Sequence, residues 1–252
     1  MRKDERVLAY CNLFGVLGAI PQLLLIDPDA AALVVGKQLS VGFSVKDGPA
    51  GTLSFSAGGA EMRRGCDGCS IKLYFPSPAA FNAMIDGKGS PIPVSGFWHL
   101  GFLLGPFTRL TDRLSAYLRP EKGALDDPTF FFRSTLLMLH VIAGAIAEVG
   151  NEDKIGRFSA SNIVDGDIRL AIAGEAAVGI RAENHRLTAL HTDPGPGMSE
   201  MAFDSLSTAR ALFDGDINAV AAVGEGSVRI SGMISQIDNL NRILDRVAVY
   251  LG

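Results

Sequence analysis

The feature that most constrains this chain is that it repeats itself. The ten residues Arg109–Leu118 (RLTDRLSAYL) and Arg242–Leu251 (RILDRVAVYL) agree at Arg, Asp, Arg, Tyr and Leu. Unrelated segments of average composition would share roughly half a position in ten. Upstream, Tyr74–Lys88 (YFPSPAAFNAMIDGK) aligns with Ala202–Asp216 (AFDSLSTARALFDGD) through a common Phe, Ser, Ala, Asp and Gly. The offset there is 128 against 133 for the decapeptides, so one repeat is five residues longer between the two blocks. Whatever the 252 residues build, they build it twice, in halves of ordinary domain size.

Each half carries the same order of patterns. In the second, Ile168, Leu170 and Ile172 alternate with more polar neighbours, Gly174-Glu175 makes a turn, and Val178, Ile180 and Ala182 follow, which is a hairpin. Arg186 to His191 and Val228 to Gly232 read as further strands. The first half answers with Val41, Phe43 and Val45, a turn over Asp47–Gly51, then Leu53, Phe55 and Ala57, then Ile71, Leu73 and Phe75. Ser77 and Ser205 each precede an apolar helical pattern that stops at Gly87 or Gly215, an N-cap and a C-cap in matching places. Pro91-Ile92-Pro93 and Gly96-Phe97-Trp98 interrupt the strand expected next in the first half.

Arg119 to Pro128 is polar and bounded by prolines, and it divides the chain into a repeat at 1–119, a linker at 120–129 and a repeat at 130–252. Phe130 to Val149 reads as a long apolar helix opening the second repeat, and Asp4 to Ile20 plays that part in the first. Each half is therefore helix, antiparallel strands, short helix, a further strand and a closing amphipathic helix, an α+β architecture.

Composition excludes several functions. Apolar residues make up 48% and charged residues 20%, so the chain has material for a core. Its 23 Lys and Arg face 27 Asp and Glu, and no basic run exceeds Arg63-Arg64, which argues against nucleic acid as a partner. The apolar stretches Val16–Ile26 and Leu136–Val149 are interrupted and fall short of the ~18 residues of a membrane span. Acidic residues intrude in Met1–Arg6, so no signal peptide is expected and the protein reads as cytoplasmic. Cys11, Cys66 and Cys69 are too few, and odd in number, for a disulfide framework.

No nucleophile elbow, zinc-protease helix, phosphate loop or dinucleotide fingerprint is present, and Gly224-Glu-Gly226 lacks a third glycine. His99, His140, His185 and His191 are scattered and read as structural or solvated. Cys66-Asp-Gly-Cys69 would supply only two of four zinc ligands, and Asp67-Gly68 favours a hairpin turn, so an exposed structural turn is expected there. Arg109, Asp112, Arg113, Arg242, Asp245 and Arg246 fall opposite the apolar stripe of the closing helices, as a solvated face or as helix-supporting ion pairs. The bulky segment Gly96–Phe107 is expected to be buried in core or interdomain packing.

The hairpin, the Ser-capped helix, Leu212-Phe213-Asp214-Gly215, Val228–Gly232 and the closing helix Asp238–Leu251, taken in order, resemble the sterol-carrier-protein type of lipid-binding domain. The first half looks like a diverged copy that keeps Met84-Ile85-Asp86-Gly87. The resemblance implies about five mostly antiparallel strands in each repeat and helices that enclose an apolar tunnel for fatty acids, acyl thioesters or sterol-like lipids. It implies no catalytic residue, metal or cofactor. The candidates to line such a tunnel are Phe81, Met84, Phe102, Leu104, Phe203, Leu212, Phe213 and Met233. The expected partner is a hydrophobic small molecule or lipid, with transient membrane contact and a homodimer both compatible with it. Two other readings stand beside the carrier: a scaffold or oligomerising accessory subunit whose cavities its own side chains fill, and a thiol-dependent enzyme using Cys66 and Cys69.

Overall fold

The structure, a computed structural model, describes residues 3–252. The chain divides into two compact units, one ending at Arg133 and one running from Ser134 to Gly252.

The first unit opens with a broken helical run: α1 (Glu5–Tyr10), a π-helical turn (Cys11–Val16), a 3-10 turn (Leu17–Ala19) and α2 (Ile20–Ile26). Gly15, Gly18 and Pro21 lie at these interruptions, the residues that tolerate or force a departure from α geometry. After α3 (Pro28–Ala32) come β1 (Leu39–Val45), β2 (Ala50–Ser56), β3 (Gly59–Arg64) and β4 (Ile71–Phe75). Then follow α4 (Pro78–Ile85), β5 (Ile92–Ser95), the single turn α5 (Leu100–Phe102), a π-helical turn (Leu103–Phe107) and α6 (Thr108–Leu118). The sheet order is β3-β2-β1-β4-β5, with β1 and β4 parallel and the other pairs antiparallel. The strand that prolines and Gly96 were expected to interrupt does form, as β5, with its register shifted against Lys72 and Leu73.

Helix α7 (Pro128–Glu152) carries the chain into the second unit. There α8 (Lys154–Ala160), β6 (Gly166–Ile172), β7 (Ala176–Glu183), β8 (Arg186–Leu190) and β9 (Ser199–Phe203) precede α9 (Leu206–Asp214), α10 (Ala219–Glu225), β10 (Val228–Gly232) and α11 (Ile234–Leu251). The order β8-β7-β6-β9-β10, with β6 and β9 parallel, repeats that of the first sheet strand for strand. Both units are therefore five-stranded α+β mixed sheets, and the duplication read from two short blocks extends through the whole topology. Ser77 Oγ accepts from Ala80 N and Ser205 Oγ accepts from Thr208 N, the equivalent N-caps of α4 and α9.

The helical runs Glu5–Ile26 and Pro128–Glu152 have 22 and 25 residues and a mean hydropathy of 1.7. Both are long and apolar enough to cross a membrane by length and composition, which corrects the shorter lengths inferred from the interrupted apolar stretches. Of the most apolar window in each, 61% and 67% is buried inside the protein, the signature a core helix also gives. The segment Gly96–Phe107 is another correction. Phe102, Leu103 and Phe107 are buried, but Phe97, Trp98 and Leu104 are 52%, 86% and 76% exposed: Phe97 and Trp98 stand in a 3-10 turn (Phe97–His99) that buries none of its residues, and the π-helical turn buries Leu103 and Phe107 while Leu104 points outward.

Candidate functional site

The inner face of each sheet is where an apolar ligand would have to sit, so the side chains there decide the matter. In the first unit, Val41, Phe43 and Val45 of β1, Leu53 and Phe55 of β2 and Ile71, Leu73 and Phe75 of β4 are buried by the helices above them. Alternation along the pleat puts them on one face. Six aromatic rings then form a continuous cluster. Phe75 meets Phe81 at 5.0 Å between centroids and Phe55 meets Phe102 at 5.4 Å. Phe43 lies 6.3 Å from both Phe81 and Phe107, and Phe107 also contacts Phe55 and Phe102. Four of these pairs are edge-on, the arrangement aromatic quadrupoles favour. Of the four candidates in this unit, Phe81 and Phe102 are thus members of a packed core and Met84 is half-buried on α4. Leu104 projects into solvent, outside the interior it was expected to line.

The second unit has the same frame with smaller contents. Strand pairing makes Phe43 equivalent to Leu170, Phe55 to Ala182 and Phe75 to Phe203. The offset of 128 makes Phe81 equivalent to Ala209, and the offset of 133 makes Phe107 equivalent to Leu240. Only one of these five aromatics survives; α7 buries Ala143, Gly144, Ala145, Ile146 and Ala147, and near its C-terminal end Asn151 exchanges hydrogen bonds with the backbone of Leu187 on β8. Phe203 retains one aromatic neighbour, Phe213 of α9, at 5.6 Å. Phe203 is 3% exposed, whereas Leu212, Phe213 and Met233 are half-buried.

The charged residues of the repeated decapeptide form a different arrangement, and correct the solvated-face reading in part. Asp27 is fully buried, caps α3 by accepting from Asp29 N, and accepts from Arg113 Nε at 2.7 Å and from the Tyr117 hydroxyl at 3.3 Å. Asp153 does the same in the second unit. It caps α8 through Ile155 N and Gly156 N and accepts from Arg246 Nη2 at 2.8 Å and from the Tyr250 hydroxyl at 2.7 Å. Burial alone would raise the Asp153 carboxyl, but the Arg246 guanidinium and the other donors outweigh it and hold the carboxyl at about 2. Burial and the neighbouring Asp153 push the Tyr250 hydroxyl up to about 12. Every carboxylate oxygen in these triads is occupied by structural donors, so the chemistry they offer is anchoring, not proton transfer. Arg109, Asp112, Arg242 and Asp245 do lie at the surface, where Arg242 pairs with Asp238 one turn earlier.

An open groove of about 780 Å³ in the first unit is lined by Asp29, Leu33, Lys37, Arg109, Asp112 and Arg113 among others. It is charged, and none of the eight apolar candidates lines it. Among the described residues no group of three or more His, Cys, Asp or Glu could hold a metal ion. Cys66 and Cys69 flank a turn at Asp67-Gly68 as expected, yet Cys66 is buried and Cys69 half-buried, so the turn tip alone is exposed. His140 and His191, separate in the sequence, come together with Nδ1 atoms 3.3 Å apart. Burial, with His191 adding to it, lowers the His140 imidazole to about 4, and burial also lowers His191.

No family model matches the chain, and no curated protein matches it. Among solved structures it is similar to a UbiJ-SCP2 ubiquinone synthesis protein, at 13% identity over 42% of this chain and 96% of that one, with a TM-score of 0.33. It is also similar to a sterol carrier protein 2, at 16% identity over 44% and 92% with a TM-score of 0.35. A third similarity is to the sterol carrier protein domain 2 of Helicoverpa armigera, at 14% identity over 44% and 89% with a TM-score of 0.36.

Proposed function

We propose that this protein is a non-catalytic cytoplasmic carrier of a hydrophobic ligand, and that only its second unit holds the ligand. The observation that carries this reading is the substitution of Leu170, Ala182, Ala209 and Leu240 for the phenylalanines that fill the first unit. An apolar chain lying between the second sheet and α7, α9 and α11 would take the volume those rings vacate. Phe203, Leu212, Phe213 and Met233 are the lining residues in this reading, Leu212, Phe213 and Met233 being neither fully buried nor fully exposed, as residues at the mouth of such a site should be. A sixteen-carbon acyl chain leaving water gains about 12 kcal/mol gross at about 0.8 kcal/mol per methylene, so no charged anchor is required. A cysteine content of three, odd and too low for a disulfide framework, agrees with a reducing compartment.

The rival reading, a self-filled scaffold, is supported by a specific observation too, but only for the first unit, where the six rings occupy the interior. We assign that unit a structural part. Native mass spectrometry of freshly purified full-length protein, followed by organic extraction, tests the assignment. A retained acyl or isoprenoid lipid and saturable binding of a fluorescent fatty acid are expected. Lipid-free protein that binds no acyl probe at micromolar concentration would favour the scaffold for both units.

A further inference from the structure

The loop between β3 and β4 holds two thiols whose placement neither a carrier nor a scaffold explains. Cys66 and Cys69 bracket the exposed pair Asp67-Gly68, and Gly68 adopts a φ of 68°, which folds the loop back on itself. Cys69 Sγ donates to the Cys66 carbonyl at 3.3 Å. Both side chains rest on Gly42 of the central strand β1. A Cβ at position 42 would overlap Cys69 Sγ and would lie 3.1 Å from the Cys69 Cβ and 3.2 Å from the Cys66 Cβ. The two Cβ atoms thus converge over a single missing side chain. At the equivalent place in the second sheet stands Arg169, which instead binds Asp193 and Glu200.

Both ends of the loop are tied down. Arg63 Nη2 donates to the Asp67 carbonyl, and Ser40 and Ser70 exchange backbone-to-hydroxyl hydrogen bonds between β1 and the loop end. The sulfurs therefore have little freedom to separate. No third metal donor stands near them among the described residues, which leaves the dithiol itself as the functional unit.

We propose that Cys66 and Cys69 form a reversible disulfide, making this loop a site of thiol–disulfide exchange with low-molecular-weight disulfides of the glutathione class. The half-buried Cys69 is the attacking sulfur and the buried Cys66 the resolving one. The Cys69 thiolate attacks one sulfur of the small disulfide, forming a mixed disulfide and releasing one thiolate. The Cys66 thiolate then attacks Cys69 Sγ, the mixed bond breaks, and the second thiolate leaves. The protein loses two electrons and two protons, and one small disulfide is reduced to two thiols. Burial and the adjacent Cys66 push the Cys69 thiol up, so closure should accelerate about tenfold per pH unit through the neutral range.

The test uses the full chain incubated in glutathione buffers of defined ratio, quenched with acid and digested with trypsin. Cleavage after Arg64 and Lys72 leaves both cysteines in one peptide, Gly65–Lys72. The expected product is that peptide lighter by two hydrogen masses, with Cys11 unmodified and the change reversed by dithiothreitol. Phenylarsine oxide, which bridges paired thiols, should load the reduced protein at one arsenic per chain and block closure. Cys66→Ser should trap a glutathione adduct on Cys69, and Cys69→Ser should leave Cys66 without one. A persistent mixed adduct in the unsubstituted protein, or a peptide that stays reduced under oxidising ratios, would overturn the proposal without touching the lipid-carrier reading.

Discussion

Asp27 and Asp153 show how far a single residue's role depends on partners remote in sequence. Arg113 and Arg246 stand at matching positions of a visible repeat, but from the helix alone each looks like an outward charge, because the aspartate that turns it inward lies 86 or 93 residues away. The repetition of Arg and Tyr was legible; their partner was not, since Asp27-Pro28 and Asp153-Lys154 share only the capping aspartate. Removing one half of such a pair strands the other in the core. Arg246→Met should therefore destabilise the second unit by about 3 to 5 kcal/mol, read as a lowered urea midpoint with unchanged slope. An effect below 1 kcal/mol would mark the pair as surface-like. The histidine pair gives a second prediction at this scale. An unfolded histidine titrates near 6.5 and His140 in the fold near 4, so the unfolded chain takes up the proton first as pH falls. The stability that depends on neutral His140 is complete above pH 6.5 and is lost progressively down to about pH 4, a span worth about 3 kcal/mol. Asp153 titrates below that window. Denaturation midpoints should fall between pH 7 and 4.5, and His140→Phe should flatten that dependence.

At the scale of elements, what the sequence concealed in one repeat it often displayed in the other. Strand β3 carries Glu61, Arg63 and Arg64 on an edge and has no apolar alternation to announce it, yet its counterpart β8 reads as a strand from Arg186 onward. Conversely β9, which opens on Ser199 and Glu200, carries a weaker strand pattern than its counterpart β4 with Ile71, Leu73 and Phe75. Prolines at 91 and 93 argued against β5, but an edge strand with a shifted register needs few of its backbone donors. Gly96 and Gly232, which follow β5 and β10, explain why both repeats keep the motif. They adopt φ values of 79° and 88°, and a Cβ on either would overlap a backbone carbonyl, of Ser70 or Met198, in the neighbouring chain segment. A carbonyl cannot rotate away as a side chain can. Gly96→Ala and Gly232→Ala should each cost about 2 kcal/mol or more, measured by chemical denaturation, and each should act on its own unit. Tolerance of either substitution would mean that the close approach is not required for the strand.

For the whole molecule, one topology used twice with different interiors sets the last expectation. Topology was legible because it follows from alternation, caps and order, all local signals that survive divergence. The contents of the two interiors were not, because a phenylalanine on an inner face reads the same whether it fills a core or lines a cavity. Position 81 and position 209 isolate the question: each is fully buried at the same place in α4 or α9, with Phe in one repeat and Ala in the other. Phe81→Ala removes a ring from a closed cluster and should cost about 3 to 5 kcal/mol. Ala209→Phe distinguishes two cases. If the second interior is packed by its own side chains, the added ring overpacks it and stability drops by about 1 to 3 kcal/mol. If the space belongs to a ligand, the ring occupies that space, the lipid-free protein keeps or gains stability, and acyl binding is abolished. Unsubstituted protein should then bind one acyl chain per polypeptide in a fluorescence titration, because the first unit has no room for a second. Two chains bound per polypeptide, or undiminished binding by Ala209→Phe, would show that the interiors differ in side chains without differing in use.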